Sequence, residues 1–419
     1  MFISKVLQHI WKEETKEYFD ELDRIRDIPV DILFAQCKRD VMELNDESCF
    51  QTDLHILTVL ETNGCSHQFN NRGVGGCSFC DWDSPRVKQL ARLKRLSQLE
   101  PSKYAEIIRY SFLEERGEKC KPYLVEQLSV HNIFDKNQFP DEAFELMFNK
   151  ECIYKKTPEI GIISARADYV TGDLVCRWKS VFKKSLTIGI GVECGNDWIR
   201  NYWLNKNISN RQIYQAAEII KENNAKICAN ILLGMPGLSE RVSLGVFFDT
   251  CEFLLREVKV DYILISPLIN KRRTIGGFLN GGESAVSYQL LLSAVCGLQK
   301  WFADCMGRIT FSPDNLMKMM ELSDSEDKLA IEKLSGIVKQ FGNVYTVNVC
   351  NLEAEEYKDE IIEVPPIEDF LNELVNVSDK LLTRMEIKDM NLRKQLVDEV
   401  NADLQFLNVE DFKWKQWKY

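Results

Sequence analysis

Glu61-Thr-Asn-Gly64-Cys65-Ser-His67-Gln-Phe-Asn-Asn-Arg72-Gly73-Val-Gly75-Gly76-Cys77-Ser-Phe79-Cys80-Asp81-Trp82-Asp83 is the stretch on which the reading of this 419-residue chain turns. It places three cysteines in the order C-x11-C-x2-C, in a loop opened by Gly64, Gly73, Gly75 and Gly76. The apolar run His55–Leu60 just before it reads as a short buried strand. Glycines let backbone wrap closely around a compact object, and cysteine thiolates are the ligands of iron–sulfur clusters. Three thiolates on a four-iron cluster leave one iron open to a small molecule. The competing donor set is a zinc site in which His67 joins Cys65, Cys77 and Cys80. Zinc does favour such Cys3His sets, though these usually come as two close ligand pairs.

The cysteines, with the aromatic Phe79 immediately before Cys80, resemble the signature of the radical S-adenosylmethionine (SAM) superfamily. The first spacer is longer than the common three residues, as in branches such as the Elongator catalytic subunit family. The resemblance implies a 4Fe-4S cluster on Cys65, Cys77 and Cys80, with S-adenosyl-L-methionine as second cofactor and Phe79 beside its adenine. It implies a reaction in which SAM is cleaved reductively and a hydrogen atom is taken from a substrate. A flavodoxin or ferredoxin would then be needed as one-electron donor.

Composition sets wider bounds. Apolar residues make up 45% and charged residues 28%, as in globular proteins, and 419 residues can bury a large core. No apolar run approaches the roughly 18 residues of a membrane span. The opening residues acquire Glu13 and Glu14 too early for a signal peptide, so a cytoplasmic location is the default expectation. Most of the 14 cysteines are scattered without a period, which suits buried thiols better than disulfides. The net charge of −11 is uneven: residues 1–50 and 283–419 are acidic, and the stretch between them is mildly basic. A substrate bearing negative charge fits that centre. No arginine-rich stripe with interleaved aromatics announces nucleic acid.

Three regions follow. Residues 1–50 carry apolar residues at helical intervals from Val6 to Ile25, with a break at Pro29, and read as an N-terminal helical extension. Residues 51–282 alternate apolar runs with amphipathic helices, and the runs His55–Leu60, Tyr123–Val130, Glu159–Ser164, Leu186–Val192, Ile227–Leu233 and Tyr262–Ser266 are the expected strands. Ser209 is expected to cap a helix burying Ile213, Ala216, Ala217 and Ile220, and Ser239 to cap another burying Val242, Val246, Phe253 and Leu254. Alternation of this kind predicts an α/β fold, a partial (β/α)6 barrel whose chemistry gathers at the carboxyl ends of its strands. Residues 283–419 are read as an acidic, mostly helical C-terminal domain. It opens with an apolar helix at Val286–Phe302, includes a strand at Asn343–Val349, and ends in an aromatic tail expected to pack on the barrel.

Every expected strand end carries polar or glycine-rich residues. The segment Gly191-Val-Glu193-Cys-Gly-Asn-Asp-Trp-Ile-Arg200 resembles the fourth-strand segment of radical SAM enzymes, which implies that Glu193 helps hold the cofactor. Arg200 could meet the cofactor's carboxylate. Leu233-Gly-Met235-Pro-Gly237 resembles the fifth-strand end of that superfamily, where Met235 would lie near the adenine. Ser164-Ala-Arg166-Ala-Asp168 is similar to an element of the Elongator-like and archaeosine-synthase-like branches, with Ser164 in place of a glutamate. The Gly-Gly-Glu element usual after the second strand is missing, so Asn132 is assigned the methionyl amine. Lys271-Arg272-Arg273 is either a solvated turn or an anion receiver at the barrel mouth. Substrate and reaction subtype stay open between a nucleobase, a small molecule and a peptide. A zinc- or iron–sulfur-binding scaffold with an acidic partner surface is the alternative to an enzyme.

Overall fold

The computed structural model describes residues 2–43, 49–51, 55–70, 73–116, 124–129, 131–150, 153–154, 158–324, 327–328, 361–407, 410, 412–414 and 417. Eight strands form the main sheet in strictly consecutive order: β1 (Cys49–Gln51), β2 (His55–Val59), β3 (Val125–Ser129), β4 (Ile160–Ala165), β5 (Ser185–Glu193), β6 (Lys226–Leu233), β7 (Tyr262–Pro267) and β8 (Ile309–Phe311). β1 is an antiparallel edge, and the seven strands from β2 to β8 run parallel. They curl into an open half-barrel. All six strands expected from the sequence are present, within two residues at either end. β8 is an addition: it lies among residues read as helical and extends the sheet past β7. The strand expected at Asn343–Val349 falls outside the described residues.

Parallel strands need a crossover between each pair, and helices covering both faces let the strands be apolar throughout. In β5, Leu186, Ile188, Ile190 and Val192 make one buried apolar face, while Thr187, Gly189, Gly191 and Glu193 alternate with them on the other. Its neighbour β4 uses Gly161, where an added methyl group would fall 2.1 Å from the Phe182 ring. The crossover helices are α6 (Gly172–Val181), α7 (Asn210–Glu222) and α8 (Glu240–Glu252), with α4 (Val87–Leu99) and α5 (Pro101–Arg116) between β2 and β3. Ser209 and Gln212 close a capping box at the start of α7, and Ser239 caps α8. After β7 come the short α9 (Ile275–Asn280) and then α10 (Tyr288–Trp301), which packs on α8.

The N-terminal region forms α1 (Phe2–Ile10), α2 (Lys12–Arg24) and α3 (Val30–Glu43); α2 packs on α4 and α3 on α4 and α5, whereas α1 touches α9. After β8 come α11 (Pro313–Leu322), α12 (Ile367–Arg384) and α13 (Met390–Leu404). The last two return to the barrel: the Trp198 indole donates to the Asp403 carbonyl at 2.7 Å, and Ser239 donates to Glu373. Trp414 and Trp417 of the tail are buried, Trp414 against Gly245 and Trp417 among Phe248, Trp301 and Phe302. No helix among the described residues is long and apolar enough to cross a membrane.

Candidate functional site: the cysteine loop at the barrel mouth

The loop after β2 sits at the carboxyl ends of the parallel strands and is held from several sides. From beneath, the Cys65 amide donates to Asp83 Oδ2 at 3.4 Å. Asp83 is fully buried, with His131 Nε2 at 3.2 Å and Arg86 Nη2 at 3.3 Å. Arg86 also forks onto Glu61 at 2.5 and 2.7 Å. Burial alone would raise the Asp83 carboxyl, but the charges of His131 and Arg86 hold it below the ordinary range. From the β5 side, Ser78 N donates to the Leu204 carbonyl at 3.0 Å, and Asn205 Nδ2 donates to the Gly76 carbonyl at 2.6 Å. His67 Nε2 lies 2.5 Å from the Asn205 carbonyl, which can only accept, so this nitrogen carries the proton. From the β7 side, Ile275 N donates to Ser78 O at 2.9 Å and Arg273 N to Asp81 Oδ2 at 3.0 Å.

The three thiols are near enough to sense one another. Burial pushes Cys65 up to about 11, with the charge of Cys77 adding to it, and burial together with Cys77 raises Cys80. Burial also raises Cys77, but a hydrogen bond from His67 and the charge of Lys206 outweigh it and leave this thiol below its ordinary value. Positive charge thus faces the place where thiolates are needed. Lys206 Nζ is 2.6 Å from Glu193 Oε1 and 5.6 Å from the centre of the Phe79 ring. Burial opposes the Lys206 charge, but Glu193 and Cys77 more than restore it. Glu193 itself adopts φ 65°, a left-handed backbone that costs a non-glycine residue about 1–3 kcal/mol, at a bulge in the β5–β6 pairing. Strain of that size, held next to a buried ion pair, marks a place the fold keeps for a purpose.

Arg166 and Asn132 join the same mouth. Arg166 pairs with Asp168 at 3.1 Å, donates to the Lys206 carbonyl at 3.0 Å, and lies near enough to Cys77 and Cys65 for charge interaction. Asn132 Oδ1 accepts from the Phe134 and Arg166 amides at 3.2 and 3.1 Å, while its buried Nδ2 has no partner among the described residues. Ser164 is half-buried at the end of β4, and its carbonyl accepts from Ile133 N at 3.0 Å. Met235 is buried beside a separate cavity, its amide bonded to Ser243 Oγ at 2.9 Å. Arg200 departs from expectation. It is completely buried, and its donors are taken by the carbonyls of Ile208, Cys194 and Gly195 and by Asp197 and Asn210, so it braces the turn after β5 and offers nothing to a ligand's carboxylate. Arg273, read as an anion receiver, is bound to Glu13, Glu14 and the Ile10 carbonyl instead.

Lys206, Asp83 and His131 take parts that sequence reasoning did not assign. Lys206 reaches Glu193 across a turn with two left-handed asparagines, Asn205 (φ 54°) and Asn207 (φ 56°), which no spacing rule reveals. Among the described residues, no three His, Cys, Asp or Glu side chains converge on a point as a single metal ion requires. A lone zinc would draw its sulfurs to about 2.3 Å from one centre.

No family model matches the chain. An uncharacterized protein of Methanocaldococcus jannaschii is 26% identical over 197 residues, which cover 46% of this chain and 50% of that protein, so the chain spans about half the length of the curated relative it matches. Two solved structures are similar in part. The radical S-adenosylmethionine methyltransferase TsrM from Kitasatospora setae, with tryptophan and a SAM analogue bound, aligns over 53% of this chain and 38% of its own at 10% identity and TM-score 0.30. The archaeal Methanocaldococcus infernus Elp3 aligns over 65% of this chain and 66% of its own at 14% identity and TM-score 0.38. Both alignments concern partial stretches at low identity, and neither assigns a role to this chain. At these scores, the chemistry proposed below rests on the loop and its surroundings.

Proposed function

We propose that the chain is a radical SAM enzyme. Cys65, Cys77 and Cys80 would hold a 4Fe-4S cluster, with S-adenosyl-L-methionine completing its coordination. Bound there, the pair supplies one-electron chemistry that ends in hydrogen-atom abstraction from a substrate; the protein's share is placement and exclusion of water. The observation that carries the reading is that three cysteines close enough to feel one another's charge stand with two buried cations, Lys206 and Arg166, at the carboxyl ends of a parallel half-barrel.

The residues divide the remaining work by their chemistry. Lys206 and Arg166 offset the negative charge that three thiolates gather. Glu193, already bonded to Lys206, would accept from the hydroxyl or amino groups of the cofactor. The free Asn132 Nδ2 offers a buried donor at the mouth. Phe79 gives an apolar face to an adenine. His67, fixed to the Asn205 carbonyl through Nε2, stands beside Cys77. Electrons would come from a flavodoxin- or ferredoxin-like donor.

Purification without oxygen tests this. The expected protein is brown, absorbs near ~400 nm, carries about 4 Fe per chain, and forms 5′-deoxyadenosine from SAM when reductant is added. A colourless chain with zinc on the cysteines would overturn the proposal. Cys77→Ala is expected to lose the iron and the colour, and full cluster content in that variant would refute the ligand assignment.

A further inference from the structure

Two cavities flank α9, whose first residue, Ile275, donates to Ser78 of the cysteine loop; none of the three cysteines lines either cavity. The first, about 720 Å³, lies between the ends of β6 and β7 and helix α12, with Leu268, Leu279, Val286 and Val377 as apolar walls. Asn270 and Asn280 sit in the same wall, and the amides of both donate to Ser284 Oγ at 3.3 Å. The second, about 750 Å³, opens beyond Phe278 and the Gly281–Gly282 turn. Thr383 and Arg384 line both, so the two adjoin at α12 along one trough, and the first alone is of the size that takes a small-molecule ligand.

Lys380 and Arg384 stand one helical turn apart on α12 and face this trough together. Like charges at that spacing repel unless an anion lies between them. Among the described residues, neither has a carboxylate at ion-pairing distance. Arg384 lies over the Phe278 ring at 5.8 Å and against Gly281, where a methyl group would come within 2.9 Å of Nη2. The acidic groups nearby are committed or set back. Glu240 accepts from Ser287 N and Oγ at 2.5 Å, and Asp379 pairs with Arg393 at 2.6 Å. Glu283 and Glu386 border only the second cavity, where Arg272 and Arg273 oppose them, both also within reach of Glu13.

We propose that the trough binds a phosphomonoester of nucleotide size, its dianionic phosphate between Lys380 and Arg384 and its body along the apolar wall towards Asn270 and Asn280. A phosphate suits two cations of this spacing better than a carboxylate does, because it can accept from both at once with two charges. The site does not depend on the cysteine reading, and its test can be separated from it. Calorimetric titration of the full chain with the four ribonucleoside 5′-monophosphates, their nucleosides and inorganic phosphate gives the answer. At least one monophosphate is expected to bind with Kd below about 1 mM, its nucleoside at least about 10-fold weaker, and the affinity should fall with added salt. Lys380→Ala and Arg384→Ala should each weaken binding about 10-fold with unchanged melting temperature, Lys380→Arg should keep it, and Cys77→Ala should bind as the parent does. The proposal is overturned if no monophosphate or phosphate binds at millimolar concentration. It is also overturned if nucleosides bind as well as their phosphates, or if the α12 variants bind unchanged.

Discussion

Glu193 sits in a left-handed backbone and is locked to Lys206 in a buried pair. Removing one partner of such a pair leaves an uncompensated charge and costs about 3–5 kcal/mol, whereas exchanging both for apolar groups is far milder. Lys206→Met is therefore expected to destabilise the fold by several kcal/mol and the double variant Glu193→Gln/Lys206→Met by much less, as thermal melting would show. If the pair also serves the cofactor, the double variant, though folded, should bind SAM at least about 10-fold more weakly in equilibrium dialysis. Unchanged affinity would leave the pair a purely structural device. Among the three loop cysteines, Cys77 alone is held below its ordinary value, so of these three it should be alkylated first in the cluster-free protein. Peptide mapping after limited iodoacetamide treatment checks this, and faster labelling of Cys65 or Cys80 would contradict the arrangement around His67.

At the level of elements, the strands could be read because a parallel sheet covered on both faces turns each strand into a plain apolar run: Ile188–Val192 and Ile227–Leu233 have almost no polar interruption. The caps at Ser209 and Ser239 could be read for a related reason, since orphan amides at a helix start select those side chains. Ser209→Ala is expected to cost about 1 kcal/mol in chemical unfolding, because it removes the cap and frees Gln212 from the reciprocal bond. β8 escaped because three residues, Ile309-Thr-Phe311, are too few to show a period, and they gain strand geometry only by pairing with Ile263–Ile265. The site divides along the same line. The cysteines and Glu193 announce themselves by local pattern, but Lys206 acquires its partner through a turn built at Asn205 and Asn207. Arg200 carries the right charge in the right segment yet is spent on backbone carbonyls, an outcome set by burial that a one-dimensional pattern does not hold.

For the molecule as a whole, the question is what keeps the distant C-terminal segment on the barrel. One of the contacts that do so lies at the tail, where the Trp417 indole donates to Asp249 Oδ1 and the Lys413 backbone also bonds this carboxyl. Burial pushes the Asp249 carboxyl up to about 7, against the pull of Trp417 and of Lys413, which itself pairs with Glu252 and Glu257. Folded Asp249 therefore holds its proton more tightly than the unfolded chain does. The stability this contributes is complete below the ordinary carboxylate range near pH 4 and is lost as pH rises to 7. The tail should thus dock more firmly at pH 5 than at pH 8. Tryptophan fluorescence melts of the parent and of Asp249→Asn, which keeps an acceptor for the indole but cannot ionise, isolate the effect from other carboxylates. The parent is expected to lose melting temperature relative to the variant between pH 5 and pH 8. Parallel curves across that range would mean that Asp249 is ionised throughout, and that the aromatic stack of Phe248, Trp301 and Phe302 alone secures the tail.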